Sequence, residues 1–305
     1  MKNKGFLWIL LYCVLLCSAT VYILLDTLYF EEAYTPKISE SAQTEEAEDP
    51  DTSAPEAFPP VITENSYRDN HILITLTEYK YKKSVIHVAD IVLSDPEYLK
   101  TAFAYDAFGK NLKETTTAIA RRNQAILAIN GDFYGVRERG YVVRNGILYR
   151  DTYANKQEDL VIYEDGSCGI VTERTPTAEE LMEAGARHIF SFGPALVENG
   201  KIRVDARKLS GHAASINPRT AIGMVDGLHY VFVCVDGRTR DSRGMTVYEL
   251  AEFMQSLGVS TAYNLDGGGS ATMYFNGRVV NTPTSNGDPG DEREVSDIVY
   301  IGYGN

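Results

Sequence analysis

One short segment of the sequence combines a carboxylate with an unusual run of glycines. In "YNLDGGGSATM", residues 263–273, an apolar run ends at Asp266 and three consecutive glycines follow. A two-residue turn needs one glycine rather than three, and the segment lacks the Gly-Lys-Ser/Thr ending of a Walker A loop. Positions without side chains let a ligand approach backbone amides closely. The segment therefore indicates a backbone cradle for the oxygen atoms of a sugar or a phosphate, beside Asp266.

Two other strand-like runs end in a carboxylate next to a glycine. "AINGD" ends at Asp132, and "FVCVDG" carries Asp236. Asp-Gly and Asn-Gly are ordinary turn dipeptides, so each motif alone is typical of a turn. Their recurrence at strand ends, where a rigid frame can hold functional groups, indicates a shared site.

Several arginines lie at the edges of predicted strands. A planar guanidinium group can grip a phosphate or a carboxylate with two hydrogen bonds. We therefore take Arg219, Arg238 and Arg293 as candidate anion ligands. Arg240 and Arg243 are instead interpreted as surface residues of an acidic domain.

The elements that must position these residues are mostly short strands. Apolar or alternating runs are separated by "RNG", "EDG", "ENG" and "FNG", which predicts hairpins and antiparallel pairing. Helical patterns are fewer and lie at 113–123, 177–185 and 246–258. The sequence therefore predicts an α+β fold, with a mixed, largely antiparallel β-sheet core flanked by a few helices in a single compact domain.

Glu249 is a further carboxylate candidate with two possible roles. It stands three residues after Thr246, which is the spacing of a capping box at a helix N-terminus. A structural role and a catalytic role both stay open for it.

The N-terminal part of the chain differs in composition from the rest. Residues 6–25 are uncharged and long enough to cross a bilayer as a helix, with lysines before them and acidic residues after them. We expect an uncleaved signal-anchor, with a cleaved signal peptide as the alternative. Residues 31–65 contain ten acidic residues and one lysine, which predicts a disordered spacer. The predicted organisation is a cytoplasmic tip and anchor at 1–30, the spacer at 31–65, and an extracytoplasmic domain at 66–305.

Charge and cysteine usage exclude several classes of function. The spacer accounts for most of the net charge of −13, which leaves a mildly acidic domain and makes a nucleic-acid partner unexpected. Cys168 and Cys234 have no spacing that demands a disulfide, and we expect two separate buried thiols. The five histidines are scattered without the paired spacing of a zinc site.

The motifs also occur in a recognisable order. "AINGDFY", "SFGPALV", "NPRTAIGM", "VDGR", "GMTVYELAEFMQSLGVSTAYNLDGGGSATM" and "REVSDIVYIG" follow one another as in phosphodiester glycosidases, and roughly residues 70–303 resemble that family. The resemblance implies hydrolysis of a sugar linked through C1 to a phosphodiester, such as an N-acetylglucosamine-1-phosphate diester, to free sugar and a phosphomonoester. A departure lies in "NGD" at 130–132, where many relatives carry a second glycine, so the role of Asp132 stays open.

The implied reaction assigns roles to the site residues. Glycoside cleavage uses two carboxylates around an oxocarbenium-like transition state. Asp266 is the first of these in our prediction, and Asp236, Asp132 or Glu249 supplies the second. A cluster of Asp132, Asp236 and Asp266 could instead hold a divalent cation, and no other cofactor is predicted. The residues predicted to bind the phosphate or the sugar are Asn130, Arg219, Arg238, Asn264, Gly267, Gly268, Gly269, Ser270, Thr272 and Arg293.

Two alternatives to this hydrolase stay open. The domain could bind a surface glycan, such as an exopolysaccharide or a teichoic acid, without cleaving it, since its twenty tyrosines can supply aromatic platforms. It could also modify a cell-wall or lipid-linked polymer. In each case the expected location is the cell membrane, with one membrane span and the C-terminal domain outside.

Overall fold

The computed structural model describes residues 59–285 and 287–304. The predicted signal-anchor and most of the predicted spacer lie outside these residues. In the described part, no helix is both long and apolar enough to cross a bilayer. The first strand, Val61–Ile62, lies within the range predicted as spacer. It is ordered there because it pairs with Tyr67 and Arg68 in a short hairpin.

Strands dominate the described part of the chain. The first twelve are β1 Val61–Ile62, β2 Ser66–Arg68, β3 Ile72–Tyr81, β4 Ser84–Leu93, β5 Leu99–Phe103, β6 Glu114–Thr115, β7 Leu127–Asn130, β8 Val142–Arg144, β9 Ile147–Arg150, β10 Glu158–Tyr163, β11 Cys168–Thr172 and β12 Ala186–Phe190. The others are β13 Ala195–Glu198, β14 Lys201–Ile202, β15 Arg219–Asp226, β16 His229–Val235, β17 Thr261–Leu265, β18 Met273–Phe275, β19 Arg278–Val279, β20 Thr284–Ser285, β21 Asp288–Pro289, β22 Glu294–Val295 and β23 Asp297–Ile301.

The long strands form three sheets. Their orders are β1-β2-β3-β4-β16-β15-β17-β13-β14, β11-β10-β12-β8-β9 and β19-β18-β7-β23-β5. Neighbouring strands are antiparallel in all three, as between β15 and β16 or β15 and β17. The largely antiparallel core is thus confirmed, but the prediction of a mixed sheet is wrong. Short hairpins join many neighbours, whereas parallel neighbours need a longer crossover; in the described residues parallel pairing is limited to an isolated bridge between Thr284 and Asp291.

Three helices cover the outer faces of the three sheets. They are α1 Thr116–Arg122, α2 Ala178–Glu183 and, after the single turn α3 Gly211–Ala214, α4 Val247–Ser256. Both predicted capping boxes are present, in α2 and in α4, because the cap threonine and the glutamate three residues later bond to each other's backbone amides. Helix α4 stops shortly before Gly258, whose φ of +78° is the left-handed conformation that ends helices.

The apolar side chains divide into layers that match this arrangement. The largest cluster lies between the three sheets and joins residues such as Ile74, Ile129, Leu160 and Phe232. Smaller clusters lie between each sheet and its helix; Leu250 of α4, for example, packs with residues of β15 and β16. The three sheets therefore enclose one central core, which holds their strand ends at fixed positions.

The strand ends that carry the predicted site meet at one edge of this core. Strand β15 pairs with both β16 and β17, so that Arg219 lies opposite Val235 and Thr220 opposite Leu265. The end of β7 belongs to another sheet but is bonded to the end of β17, since the Asp266 amide donates to the Gly131 carbonyl at 3.4 Å. Three segments that are distant in sequence are thereby brought together.

Candidate active site

Asp266 directly follows β17 and lies at the start of the glycine turn. The Gly267 amide donates to Asp266 Oδ1 at 2.9 Å, and Gly268–Ser270 forms a single 3₁₀ turn. A Cβ on Gly267 would lie 2.7 Å from the Pro218 carbonyl oxygen, which is closer than real Cβ atoms approach. The first glycine is therefore required because the turn packs directly against the backbone that leads into β15.

The other two glycines each lie against an exposed arginine. A Cβ on Gly268 would lie 3.0 Å from Arg238 Nη2, and a Cβ on Gly269 would lie 2.9 Å from Arg293 Cζ. Arg238 is held by a 3.0 Å hydrogen bond from Nη2 to Asn217 Oδ1, and the Arg293 amide donates to the Gly269 carbonyl at 3.3 Å. The turn thus presents two guanidinium groups beside Asp266. We call this arrangement of Gly267–Ser270, Arg238 and Arg293 the anion cradle.

Asp266 is half-buried beside the cradle. Burial raises its pKa above the ordinary value, while a hydrogen bond from Ser270, the Gly267 amide and the positive charges of Arg293 and Arg137 act to lower it. A carboxyl group with a raised pKa, held beside cations, can serve as a nucleophile or exchange a proton during a reaction.

Asp132 lies in a buried ion cluster below this surface. Arg144 Nη2 is 2.9 Å from Asp132 Oδ2 and 2.9 Å from Asp297 Oδ2, and all three side chains are almost inaccessible to solvent. The oxygens of Asp132 also accept hydrogen bonds from the amides of Tyr134 and Ser191, both at 3.0 Å. The carboxylate is therefore committed to protein partners, and we do not carry it forward as a catalytic group.

Asp297 is a buried carboxyl group whose pKa responds to the charge of Asp266. Burial raises the pKa of Asp297 to about 7; the charges of Asp132 and Asp266 raise it too, whereas Arg144 lowers it. A Cβ on Gly131 would lie 2.3 Å from Asp297 Oδ1, so the glycine of "NGD" is needed to make room for this carboxyl group.

Asp236 fastens the "VDGR" turn to a neighbouring loop. Its Oδ1 accepts hydrogen bonds from Asn281 Nδ2 at 3.1 Å and from the Thr282 amide at 2.8 Å. Its Oδ2 lies 3.1 Å from His87 Nε2. Both oxygens are occupied, which indicates that Asp236 positions Arg238 rather than acting on a substrate itself.

Glu249 takes the structural role that its spacing allowed. It forms the capping box with Thr246, and its Oε1 accepts a 2.6 Å hydrogen bond from Arg243 Nη2. Burial acts to raise its pKa, but the Thr246 amide and Arg243 outweigh that effect, and the pKa is lowered. Arg243, interpreted from the sequence as a surface residue, is thus an ion-pair partner that also binds the Lys82 carbonyl.

Arg219 is buried and bonded to backbone carbonyl groups. Its Nε donates to Met245 at 2.9 Å, and its Nη2 donates to His212 at 2.8 Å and to Ser215 at 2.6 Å. Burial, together with the charge of Arg238, lowers the pKa of Arg219 to about 10. The side chain therefore holds the loops behind the cradle.

Asn130 and Thr272 lie below Asp266 rather than on the open side. Asn130 Nδ2 donates to the Asp266 carbonyl at 2.7 Å, and its Oδ1 accepts from Thr220 Oγ1 at 2.8 Å and from the Thr272 amide at 3.3 Å. Both residues are fully buried. Asn130 thus fixes the backbone of Asp266 instead of orienting substrate hydroxyl groups.

Asn264 and Ser270 complete the predicted set. Asn264 is buried, and its Nδ2 donates to the Gly193 carbonyl at 2.8 Å. Ser270 is buried within the glycine turn, and its hydrogen bond to the Asp266 carboxylate acts to lower the pKa of Asp266. Of the predicted residues, Asp266, the three glycines, Ser270, Arg238 and Arg293 come together at the cradle. Glu249 caps helix α4 and Asp132 lies in the buried ion cluster, while the remaining predicted residues are bonded to protein groups around the cradle.

The three aspartates do not form the cation site considered from the sequence. The oxygens of Asp132 and Asp236 are held by other protein groups, as described above. Within residues 59–285 and 287–304, no group of three His, Cys, Asp or Glu side chains is arranged to hold a metal ion. Cys168 and Cys234 are unbridged.

Comparison with known proteins identifies the family. The family model described as "Phosphodiester glycosidase" matches residues 123–302, which include the glycine turn, Arg238 and Arg293. This chain belongs to the phosphodiester glycosidase family. The resemblance inferred from the motifs is thereby confirmed.

Two curated relatives show the range of similarity. The SPbeta prophage-derived uncharacterized protein YomE of Bacillus subtilis is 32% identical over 222 residues, which is 67% of this chain and 34% of the relative. The bovine N-acetylglucosamine-1-phosphodiester alpha-N-acetylglucosaminidase is 42% identical over 210 residues, which is 62% of this chain and 39% of the relative. The chain thus spans well under half the length of these relatives.

Solved structures share the fold of this family member. The catalytic domain of the zebrafish N-acetylglucosamine-1-phosphodiester alpha-N-acetylglucosaminidase, auto-inhibited by its pro-peptide, superposes with a TM-score of 0.60 at 21% identity, covering 75% of this chain and 82% of that chain. A hypothetical protein from Synechocystis superposes with a TM-score of 0.57 at 14% identity.

Three charged residues near the site were not singled out by the sequence patterns. Arg144 ends a strand in "YVVRNG" and resembled an ordinary turn residue, while Asp297 stands in "SDIVYIG" at the start of a strand. Arg137 lies in a loop, and its positive charge acts to lower the pKa of Asp266. Arg144 and Asp297 matter because they are buried and pair with each other. A charged residue within an apolar strand pattern is the one local signal that could have identified them.

Proposed function

We propose that this chain is an extracytoplasmic hydrolase that cleaves the bond between C1 of a sugar and the oxygen of a phosphodiester. The substrate class is an N-acetylglucosamine-1-phosphate diester, and the products are the free sugar and a phosphomonoester. The observation that carries the proposal is the anion cradle, in which Arg238 and Arg293 lie against Gly268 and Gly269 beside the half-buried carboxyl group of Asp266. The bovine and mouse relatives are N-acetylglucosamine-1-phosphodiester alpha-N-acetylglucosaminidases, which supports the same substrate class.

The cradle suits the charge that develops during this reaction. When the C1–O bond breaks, its electron pair goes to the phosphate oxygen, and the resulting phosphomonoester carries additional negative charge. Guanidinium groups and backbone amides aimed at that charge stabilise the transition state. Because a phosphate is already a weak base, its departure needs little protonation.

Asp266 acts at the other end of the breaking bond. Positive charge develops at C1 in an oxocarbenium-like transition state, and a neighbouring carboxylate stabilises it, either by attacking C1 or by activating a water molecule. Water finally supplies the hydroxyl group at C1, and its proton leaves through the carboxylate. Since Asp132, Asp236 and Glu249 are bonded to protein groups, Asp266 carries this role alone in our proposal.

The location is part of the proposal. The uncharged residues 6–25, with lysines before them and acidic residues after them, support a signal-anchor that leaves the C-terminal domain outside the cell membrane. Protease added to intact cells should then remove the domain, while a cytoplasmic marker stays intact. Protection of the domain from the protease would contradict this location.

A release assay tests the activity. The full-length chain in detergent is incubated with α-N-acetylglucosamine-1-phosphomethyl and with its glucose analogue, with and without EDTA. We expect sugar release, a loss of about 10³-fold or more in Asp266→Asn, and a loss of about 10²-fold in Arg238→Ala, which removes a donor to the leaving phosphate. Arg240→Ala is the matched control, because Arg240 is an exposed arginine two residues from Arg238.

The outcomes separate the proposal from glycan binding without cleavage. A chain that only binds surface glycans would release no sugar from either diester and would keep its glycan affinity in Asp266→Asn. Release that is unchanged in Asp266→Asn would contradict the assignment of that residue. Release that depends on Asp266 and is unaffected by EDTA would favour the metal-independent mechanism described above.

A further inference from the structure

A groove lies beside the candidate active site. It has a volume of about 410 Å³, and its lining includes Phe192, Pro194, Gln157 and Thr172. Lys156 and Glu158 also line it, and Glu158 is paired with Arg203 at 3.2 Å. The groove thus combines apolar rings with polar and charged groups. A sugar ring has the same mixed character, with an apolar face and a rim of hydroxyl groups.

Arg137 connects this groove to Asp266. Its guanidinium group lies 4.9 Å from the centre of the Phe192 ring, and its Nη1 donates to the Ser191 carbonyl at 3.0 Å. The same positive charge acts on the carboxylate of Asp266. Arg137 therefore contacts the wall of the groove and contributes to the electrostatics of Asp266.

Strand β17 provides a second, independent connection. Asn264 donates from Nδ2 to the Gly193 carbonyl at 2.8 Å and from its amide to the Pro194 carbonyl at 3.2 Å. Asn264 stands two residues before Asp266 on the same chain segment. On the other side, Gln157 Nε2 donates to the Phe192 carbonyl at 3.2 Å. The wall of the groove is thus fixed to the strand that carries the carboxylate.

The groove and the anion cradle reach Asp266 through different arginines. Arg293 lies against the glycine turn, Arg137 lies against the ring of Phe192, and the charges of both lower the pKa of Asp266. A sugar-1-phosphodiester likewise has two parts that meet at C1, where the carboxylate acts. The charged part matches the cradle, so the neutral ring is left for the groove.

We propose that this groove binds the sugar ring of the substrate, with Phe192 as its aromatic platform and Arg137 as the residue that positions the ring's C1 side against Asp266. This inference rests on the proposed function, since it assigns the two halves of that substrate to two subsites. The occupant is an uncharged hexose or N-acetylhexosamine. The groove, by this assignment, selects the sugar, while the cradle selects the phosphate.

The test measures the two halves of the substrate separately. Saturation-transfer NMR on the full-length chain in detergent uses free N-acetylglucosamine as one probe and inorganic phosphate as the other, observed by competition with phenyl phosphate. We expect Phe192→Ala to lose the sugar signal and keep the phosphate signal, and Arg238→Ala to show the reverse. In the release assay, Phe192→Ala should raise KM for the methyl diester about 10-fold with kcat within about 3-fold.

A matched control and a conservative variant distinguish binding from folding. Tyr163 lines a groove of about 420 Å³ that shares no residue with this one, so Tyr163→Ala should leave both signals and KM unchanged. Phe192→Tyr keeps a flat ring and should keep KM near the parent value. If Phe192→Ala does not fold, Phe192→Leu preserves apolar packing without a flat ring and replaces it in each measurement.

Several outcomes would overturn the inference. Sugar binding that persists in Phe192→Ala, or an equal loss in Tyr163→Ala, would remove the groove as the sugar subsite. If Phe192→Ala raises KM only for diesters with an alcohol larger than methanol, the groove would instead bind the alcohol group on the other side of the phosphate. If the parent chain cleaves no diester but binds the sugar through Phe192, the proposed function fails while the groove assignment stands. If the parent chain cleaves the diester and Phe192→Ala changes neither KM nor sugar binding, the proposed function stands while the groove assignment fails.

Discussion

Gly269 lies against the guanidinium group of Arg293, so closely that a Cβ on the glycine would fall 2.9 Å from Arg293 Cζ and Nε. The contact explains why the third glycine of the turn carries no side chain. Gly269→Ala should therefore push Arg293 away from the cradle without removing its charge. We expect kcat/KM for the methyl diester to fall about 10- to 100-fold, because charge-assisted contacts to the phosphate are weakened.

Gly169→Ala serves as the control for that substitution. A Cβ on Gly169 meets only the ring of Tyr163, at 3.3 Å, and it should leave kcat/KM within about 3-fold of the parent value. Equal losses in the two variants would show that the effect of Gly269→Ala is a general cost of replacing a glycine.

The pH dependence of activity should report the electrostatics of Asp266. In its proposed role this carboxyl group must be ionised, so kcat/KM falls as the pH drops through its pKa. The charge of Arg293 lowers that pKa, and Arg293→Gln should therefore move the acid limb of the profile to higher pH. A profile of kcat/KM against pH measures the shift independently of any loss in rate. Arg240→Gln should leave the limb in place, and an unmoved limb in Arg293→Gln would show that another group controls it.

The buried cluster around Arg144 should dominate the stability of this region. Arg144 pairs with both Asp132 and Asp297 at 2.9 Å in the interior. Arg144→Met leaves two buried carboxyl groups without their cation, and we expect a loss of about 3–5 kcal/mol in the free energy of unfolding. Arg203 also pairs with two carboxylates, Glu158 and Glu198, but it is half-exposed. Arg203→Met should cost about 0–1 kcal/mol, and similar losses in urea denaturation of the two variants would contradict the expectation.

Asp297 should give the stability a characteristic dependence on pH. Its pKa is raised from 3.8 to about 7 in the folded chain. Between these values the folded state holds the proton more tightly than the unfolded state, so the contribution of Asp297 to stability is present at low pH and is lost as the pH rises through about 7. In Asp297→Asn this loss is absent. The free energy of unfolding of the variant, relative to the parent, should therefore rise from about pH 4 to about pH 7.

The pH series also separates Asp297 from other carboxylates. Asp226→Asn replaces an exposed aspartate at the end of β15, and its curve should run parallel to that of the parent. A parallel curve for Asp297→Asn would show that Asp297 is ionised throughout this range.

Local patterns determined a large part of this fold. The turn dipeptides predicted the hairpins between β8 and β9 and between β10 and β11, because a positive φ at the turn glycine is a property of one or two residues. The capping boxes of α2 and α4 were readable for the same reason, since each box joins residues that are three apart. The glycine turn and its carboxylate were also visible in one short segment. What these features share is that their physical cause lies within a few neighbouring residues.

The tertiary structure alone decided which charged residues are available to a substrate. Asp132, Asp236 and Asp266 look alike in sequence, yet the first two are bonded to groups that are tens of residues or more away; Asp236, for example, bonds to Asn281 and His87. Arg144 and Asp297 are 153 residues apart in sequence and meet only in the core. The ionisation and accessibility of a side chain depend on burial and on partners supplied by distant strands. For that reason the sequence determined the family and the cradle, and the packing of three sheets selected Asp266 from among the candidate carboxylates.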